Sequence, residues 1–216
     1  MRMPLIACLL AALTCPMAHA ETSPMDTRLL YAAQRGDAPA IGRLLKESVD
    51  LERRDAQGRT PLMLATHGNH VEAARVLIEA GADVNAKDAI HDSPYLYAGA
   101  RGLNQILRLT LDHGADLAST NRYGGTALIP AAERGHVDTV QMLIDAGVEV
   151  NHLNRLHWTA LLEAVILGDG GPRHVEIVER LLAAGADPTI ADKDGVTALA
   201  HAKARGYAQM VALLEP

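Results

Sequence analysis

Between Asn121 and Asn151, apolar positions fall in two short bursts separated by a glycine. Leu128, Ile129, Ala131 and Ala132 make the first burst. Val137, Val140, Leu143 and Ile144 make the second, at helical separations of three, four and seven residues. Thr126 sits where an N-cap belongs, since its hydroxyl can accept an N–H of the first helical turn. Gly135 supplies the left-handed residue that ends the first helix, and Gly147 ends the second. The pattern predicts a pair of short helices with a turn on either side. Neither helix buries its apolar face alone, so the pair must stack on others like it.

The same unit recurs along the chain. An acid or amide anchor stands at Asp55, Asp88, Asn121, Asn154 and Asp192, with steps of 33, 33, 33 and 38 residues. Gly58 to Asn85 is the cleanest copy, with Thr60-Pro61-Leu62 early and Gly81-Ala82-Asp83-Val84-Asn85 late. Gly114-Ala115-Asp116 and Gly185-Ala186-Asp187 repeat that ending. Period and punctuation together resemble the ankyrin repeat over about residues 26–216. The resemblance implies an all-α solenoid of about six helix-turn-helix repeats with hairpin-like tips along one edge. The repeats are expected at about 26–54, 55–87, 88–120, 121–153, 154–191 and 192–216, after a linker over 21–25.

The copies are uneven. Repeat three has His91 for the turn glycine, Ser93 for Thr, Tyr95 for Leu, Gly99 for Ala and Thr110 at an apolar place. Each small or polar replacement removes apolar contact, so looser packing is expected there. Repeat five carries five extra residues, Asp169 to Arg173, expected as a turn-rich loop between its helices. The family's histidine after T-P-L is replaced by Met63, Leu96, Ile129, Leu162 and Ala200.

The N-terminus changes the setting. Arg2 precedes an apolar run from Leu5 to Leu13, and Ala18-His19-Ala20 has the small-x-small form of a cleavage site. Residues 1–20 are expected to be a secretory signal peptide, which places the mature protein in a periplasm or outside the cell. Cleavage would remove both Cys8 and Cys15, leaving no thiol for a disulfide. It would also remove one basic residue, taking the formal net charge of −6 to −7. That acidity argues against nucleic acid, which needs a basic face. No later stretch is apolar enough to span a membrane. The expected partner is a protein, and the expected state is a monomer.

No catalytic constellation stands out. His70, His136 and His174 share one place in three repeats, the start of the second helix, and do not converge as metal ligands would. Asp83, Asp116 and Asp187 punctuate turns. Gly168 to Gly171 lacks the Lys and Ser/Thr of a phosphate loop. No cofactor and no enzyme activity are expected. The family resemblance implies instead that hairpin tips and the face of the first helix contact a partner. By position, those places include Arg59, His67, Ile90, Arg101, Arg122, Tyr123, Arg134, Arg155, Leu156, Trp158 and Ile166. Tyr123, Leu156, Trp158, Ile166 and Leu167 make an apolar run there, with Arg122, Arg134 and Arg155 around it, a composition typical of an energetic hot spot. Two alternatives are an immunity or inhibitor protein that blocks one enzyme, and a metal- or redox-stress accessory protein using surface histidines.

Overall fold

The computed structural model describes residues 24–215. The expected signal peptide lies outside them. Two helical layers run side by side. The first-helix layer stacks α1 (Pro24–Gln34), α3 (Pro61–His67), α5 (Pro94–Arg101), α7 (Leu128–Glu133), α9 (Ala160–Ile166) and α11 (Ala198–Arg205). The second-helix layer stacks α2 (Ala38–Leu44), α4 (Val71–Glu79), α6 (Asn104–Asp112), α8 (Val137–Asp145), α10 (Pro172–Ala183) and α12 (Ala208–Leu214). Helix α1 takes in Pro24 and Met25, which composition assigns to a linker; the fixed φ of proline suits a first helical turn. One isolated bridge, Ala191 to Thr197, is the only β pairing among the described residues.

The core runs unbroken between the layers. Leu62, Leu77, Leu107, Leu128, Leu143, Leu161 and Leu181 are buried in it. Each such leucine stabilises the fold by about 1.5–3 kcal/mol relative to exposure. Met63, Leu96, Ile129 and Leu162, which stand where the family carries histidine, are all buried. Apolar packing replaces the missing hydrogen bond at those four places. Ala200 is exposed.

The hairpin tips share one local device. The side-chain oxygen of each anchor accepts the N–H groups two and four residues on: Asp55 from Gln57 and Arg59, Asn121 from Tyr123 and Gly125, Asn154 from Leu156 and Trp158. Asp88 and Asp192 do the same in their repeats. An Asx turn of this kind needs a left-handed residue at its end. His91 and His157 fill that role at φ 64° and 66°.

Thr126 does not cap its helix. Thr60, Ser93, Thr159 and Thr197 each accept an N–H three residues on, as a cap should. The Thr126 hydroxyl is instead buried without a partner, and α7 starts only at Leu128. Pro130 explains the difference. Its counterparts Leu64, Tyr97, Glu163 and His201 donate an N–H to the cap residue's carbonyl. Proline has none to give, so Ile129 N–H takes the Thr126 carbonyl at 3.3 Å and is lost to the hydroxyl.

Repeat three fills its core positions, although α5 against α3 and α6 against α8 are the thinnest contacts of their layers, as the expected looseness requires. Ser93 caps α5 as well as threonine would. Tyr95 is fully buried, and so is Thr110, whose hydroxyl donates to the Leu107 carbonyl. A Cβ on Gly99 would lie 2.8 Å from Cβ of Ala127, so glycine is what lets α5 and α7 approach. Gly99→Ala is expected to destabilise the protein by about 1–2 kcal/mol, overpacking outweighing the gain in helix propensity. Thermal denaturation checks this; an unchanged or higher melting temperature would refute the close-packing reading. The thin contacts of this region lie in both layers, between α3 and α5 and between α6 and α8.

The insertion in repeat five is divided: Asp169, Gly170 and Gly171 form the expected turn, and Pro172 and Arg173 open the next helix. Gly171 precedes α10, which already includes Pro172 and Arg173 and is the longest helix among the described residues, at 12 residues. Asp169 fixes the turn by accepting Gly171 N–H and meeting His174 Nδ1 at 2.8 Å.

Candidate docking groove

The exposed ends of repeats three to five enclose a groove of about 500 Å³. It forms because each Asx-turn tip projects beyond its first helix, and the next tip docks against it: Arg155 N–H donates to the Tyr123 carbonyl at 2.9 Å. Of the residues placed at the partner surface from sequence, Ile90, Arg101, Arg122, Tyr123, Arg134, Leu156 and Trp158 line this one groove. Arg59, His67, Arg155 and Ile166 do not.

Apolar side chains stand at its edge. Ile90, Tyr123, Leu156 and Leu167 are 49 %, 57 %, 50 % and 50 % exposed. Trp158 is half-buried, one side packed on the core and the other lining the groove. The arginines are held in place rather than free. The Arg122 guanidinium lies 4.7 Å above the Tyr123 ring and 3.5 Å from Asp92. Arg134 donates to the Ala100 carbonyl, and Arg155 to the Arg122 carbonyl at 2.8 Å. Arg101 sits 5.6 Å above the Tyr97 ring. Cations stacked on aromatic faces lose little further freedom on meeting a partner.

The four outside the groove have other tasks, that of Arg155 being its bond to the Arg122 carbonyl. Arg59 pairs with Asp55 at 2.7 Å inside its own tip. His67 stacks on Tyr97 with ring centroids 4.1 Å apart, joining repeats two and three. Burial, then repulsion from Arg59, holds the His67 imidazole below its usual pKa, so it is neutral at pH 7. Ile166 packs on the core, and its carbonyl accepts from Arg205 at 3.1 Å.

Sequence reasoning passed over the floor of the groove. Glu163 lies there, 6 % exposed, on α9. One carboxylate oxygen accepts from Asn154 Nδ2 at 2.7 Å. Burial first, and then the neighbouring Glu133 carboxylate, push the Glu163 pKa up to about 7. Asp92 is also raised, by burial, with Arg122 partly offsetting it. The sequence does carry a signal for Glu163. The same place holds Leu64, Tyr97, Pro130 and His201 in other repeats, and Glu163 alone in that column is an acid.

The histidines are parts of the scaffold. His70 and His174 reach carbonyls of the preceding repeat, Gln34 and Glu133, at 3.2 and 2.9 Å. His201 meets Asp192 at 2.7 Å. Among the described residues, no three His, Cys, Asp or Glu side chains gather as metal ligands would. None of the described helices is long and apolar enough to cross a membrane.

Stacked helix pairs, Asx-turn tips and a groove walled by tips and first helices define a repeat scaffold of the ankyrin type. The ankyrin repeat family pattern, as three copies, matches residues 5–88 and 95–192, and the chain belongs to that family. An ankyrin repeat domain from Acinetobacter baumannii AYE is similar in structure, with a TM-score of 0.85 and 61 % identity, covering 87 % of this chain and 95 % of that one. EF0377, an ankyrin repeat protein, also has a TM-score of 0.85, at 43 % identity over 88 % of this chain and 96 % of its own. Among curated proteins, the ankyrin repeat protein YahD of Escherichia coli (strain K12) is 44 % identical over 52 residues. That match spans 24 % of this chain, and the chain covers about a quarter of that relative's length (26 %). Ankyrin repeats form protein-interaction modules, and this chain carries that kind of scaffold.

Proposed function

We propose that this chain is a non-catalytic docking protein that binds one protein partner in the groove of repeats three to five. The observation that carries the reading is the row of half-exposed apolar side chains at Ile90, Tyr123, Leu156 and Leu167, set beside anchored arginines. Contiguous apolar surface on a soluble protein marks an interaction site. Aromatic and arginine side chains in a partly desolvated pocket supply most of the energy of such contacts.

The test is position-dependent capture. A photo-cross-linking side chain at Leu156 should give one dominant adduct in intact cells. The same group at Glu179, exposed on α10 in the other layer, should not. Equal capture at both places, or at neither, would contradict the reading.

Export to a periplasm or beyond the cell is the second part of the proposal. It is supported by the apolar run from Leu5 to Leu13 and by Ala18-His19-Ala20. N-terminal sequencing of the exported protein should begin at Glu21; an intact Met1 would refute it.

A further inference from the structure

We infer that the groove floor is built to receive a basic side chain, a lysine or arginine of the docked partner, between Glu133 and Glu163. This inference rests on the docking proposal and adds the chemistry of the partner to it.

Glu163 is the reason. Three other repeats carry leucine, tyrosine and proline at this place, and the fourth carries His201, which bonds its tip anchor Asp192 as Glu163 bonds Asn154; Glu163 alone brings a carboxylate there. Yet it is more than nine-tenths buried and lines the groove. Its first oxygen takes the Asn154 amide, and its second has no protein donor among the described residues and opens to the groove. Glu133, which also lines the groove, raises the cost of ionising Glu163. Neither carboxylate has an ion-pair partner among the described residues. A buried acid without a cation is costly, and a cation placed beside it recovers the missing Coulomb and hydrogen-bond energy.

The nearby cations are engaged elsewhere. Just after α7, Arg134 is the least of the influences on Glu163, and its guanidinium is held at the Ala100 carbonyl. On α11, Arg205 bonds the Ile166 carbonyl and His201 pairs with Asp192. On α10, His174 is held by Asp169 and the Glu133 carbonyl. Trp158, Tyr123 and Leu156 offer apolar and aromatic walls to the methylene stem of an entering side chain. A long stem with a cationic head therefore fits both wall and floor. A purely apolar side chain fits only the wall.

The full chain can be tested with small mimics of the two side chains. n-Butylammonium and n-butylguanidinium would be titrated at constant ionic strength, following the fluorescence of Trp158, the only tryptophan. Tetramethylammonium and butyrate serve as controls. A saturable response to the two mimics is expected at pH 8, and none to the controls. Binding of a cation favours ionised Glu163, so affinity should be about tenfold weaker at pH 6 than at pH 8, where most copies are ionised. Glu163→Gln should abolish the response while the protein stays folded, and Glu133→Gln should weaken it. No saturable response at pH 8, or one that survives Glu163→Gln, would overturn the inference. If the mimics fail while cross-linking at Leu156 still gives its single adduct, docking stands and only the basic side chain falls.

Discussion

Glu163→Gln should make the protein more stable at pH 8 by roughly 2–3 kcal/mol and leave it nearly unchanged at pH 4.5. The direction follows from the raised pKa. Glu163 titrates near 4.5 when unfolded and at about 7 when folded. Between those values the folded protein holds a proton that the unfolded chain has lost. The stabilising effect of that proton is complete below pH 4.5 and disappears as pH rises through 7. Above pH 7 the folded state carries a buried charge that it does not neutralise itself. Glutamine keeps the hydrogen bond from Asn154 and removes the charge. The difference between the two proteins should therefore open between pH 4.5 and 7. Urea denaturation at several pH values measures it. A variant less stable than the parent at pH 8 would mean that Glu163 is paired within the fold.

Trp158→Ala should weaken partner binding by at least about 2 kcal/mol, a loss of about 30-fold in affinity. It should also lower stability, because one side of the indole packs on the core. The sequence pattern places Trp158 at a hairpin tip, where the family leaves side chains exposed. The half-buried position replaces that simple picture with two coupled effects. They separate experimentally through Tyr123→Ala, which removes a side chain 57 % exposed. That variant should lose affinity with little change in melting temperature. If Trp158→Ala lowers stability and both variants bind normally, the indole is a structural wall and the groove is not the contact surface.

Much of this fold was legible because its devices are local. An anchor whose oxygen takes the N–H groups two and four residues on is written within five residues, and so the tips could be placed from sequence. The two helical layers followed from apolar spacing. The shifted start of α7 was also written locally, in the missing N–H of Pro130, although the expected cap at Thr126 passed over it. Gly99 was misread for a different reason. Its value depends on Ala127, which the next repeat brings to it, and no single repeat carries that information. The same holds for the stacking of His67 on Tyr97 and for the half-burial of Trp158. The candidate groove was partly visible, since exposed apolar tips break the polar pattern of a surface loop. Its floor needed the repeats aligned in a column, where Glu163 becomes an outlier.

The central claim is that one partner docks on the groove face, and amide hydrogen exchange on the isolated complex tests it most directly. The claim predicts added protection at the tips around Ile90, Tyr123 and Leu156 and along the exposed side of α5, α7 and α9. It predicts no change at α4, α6, α8 and α10. Protection confined to that second layer, with the tips exchanging as in the free protein, would contradict it.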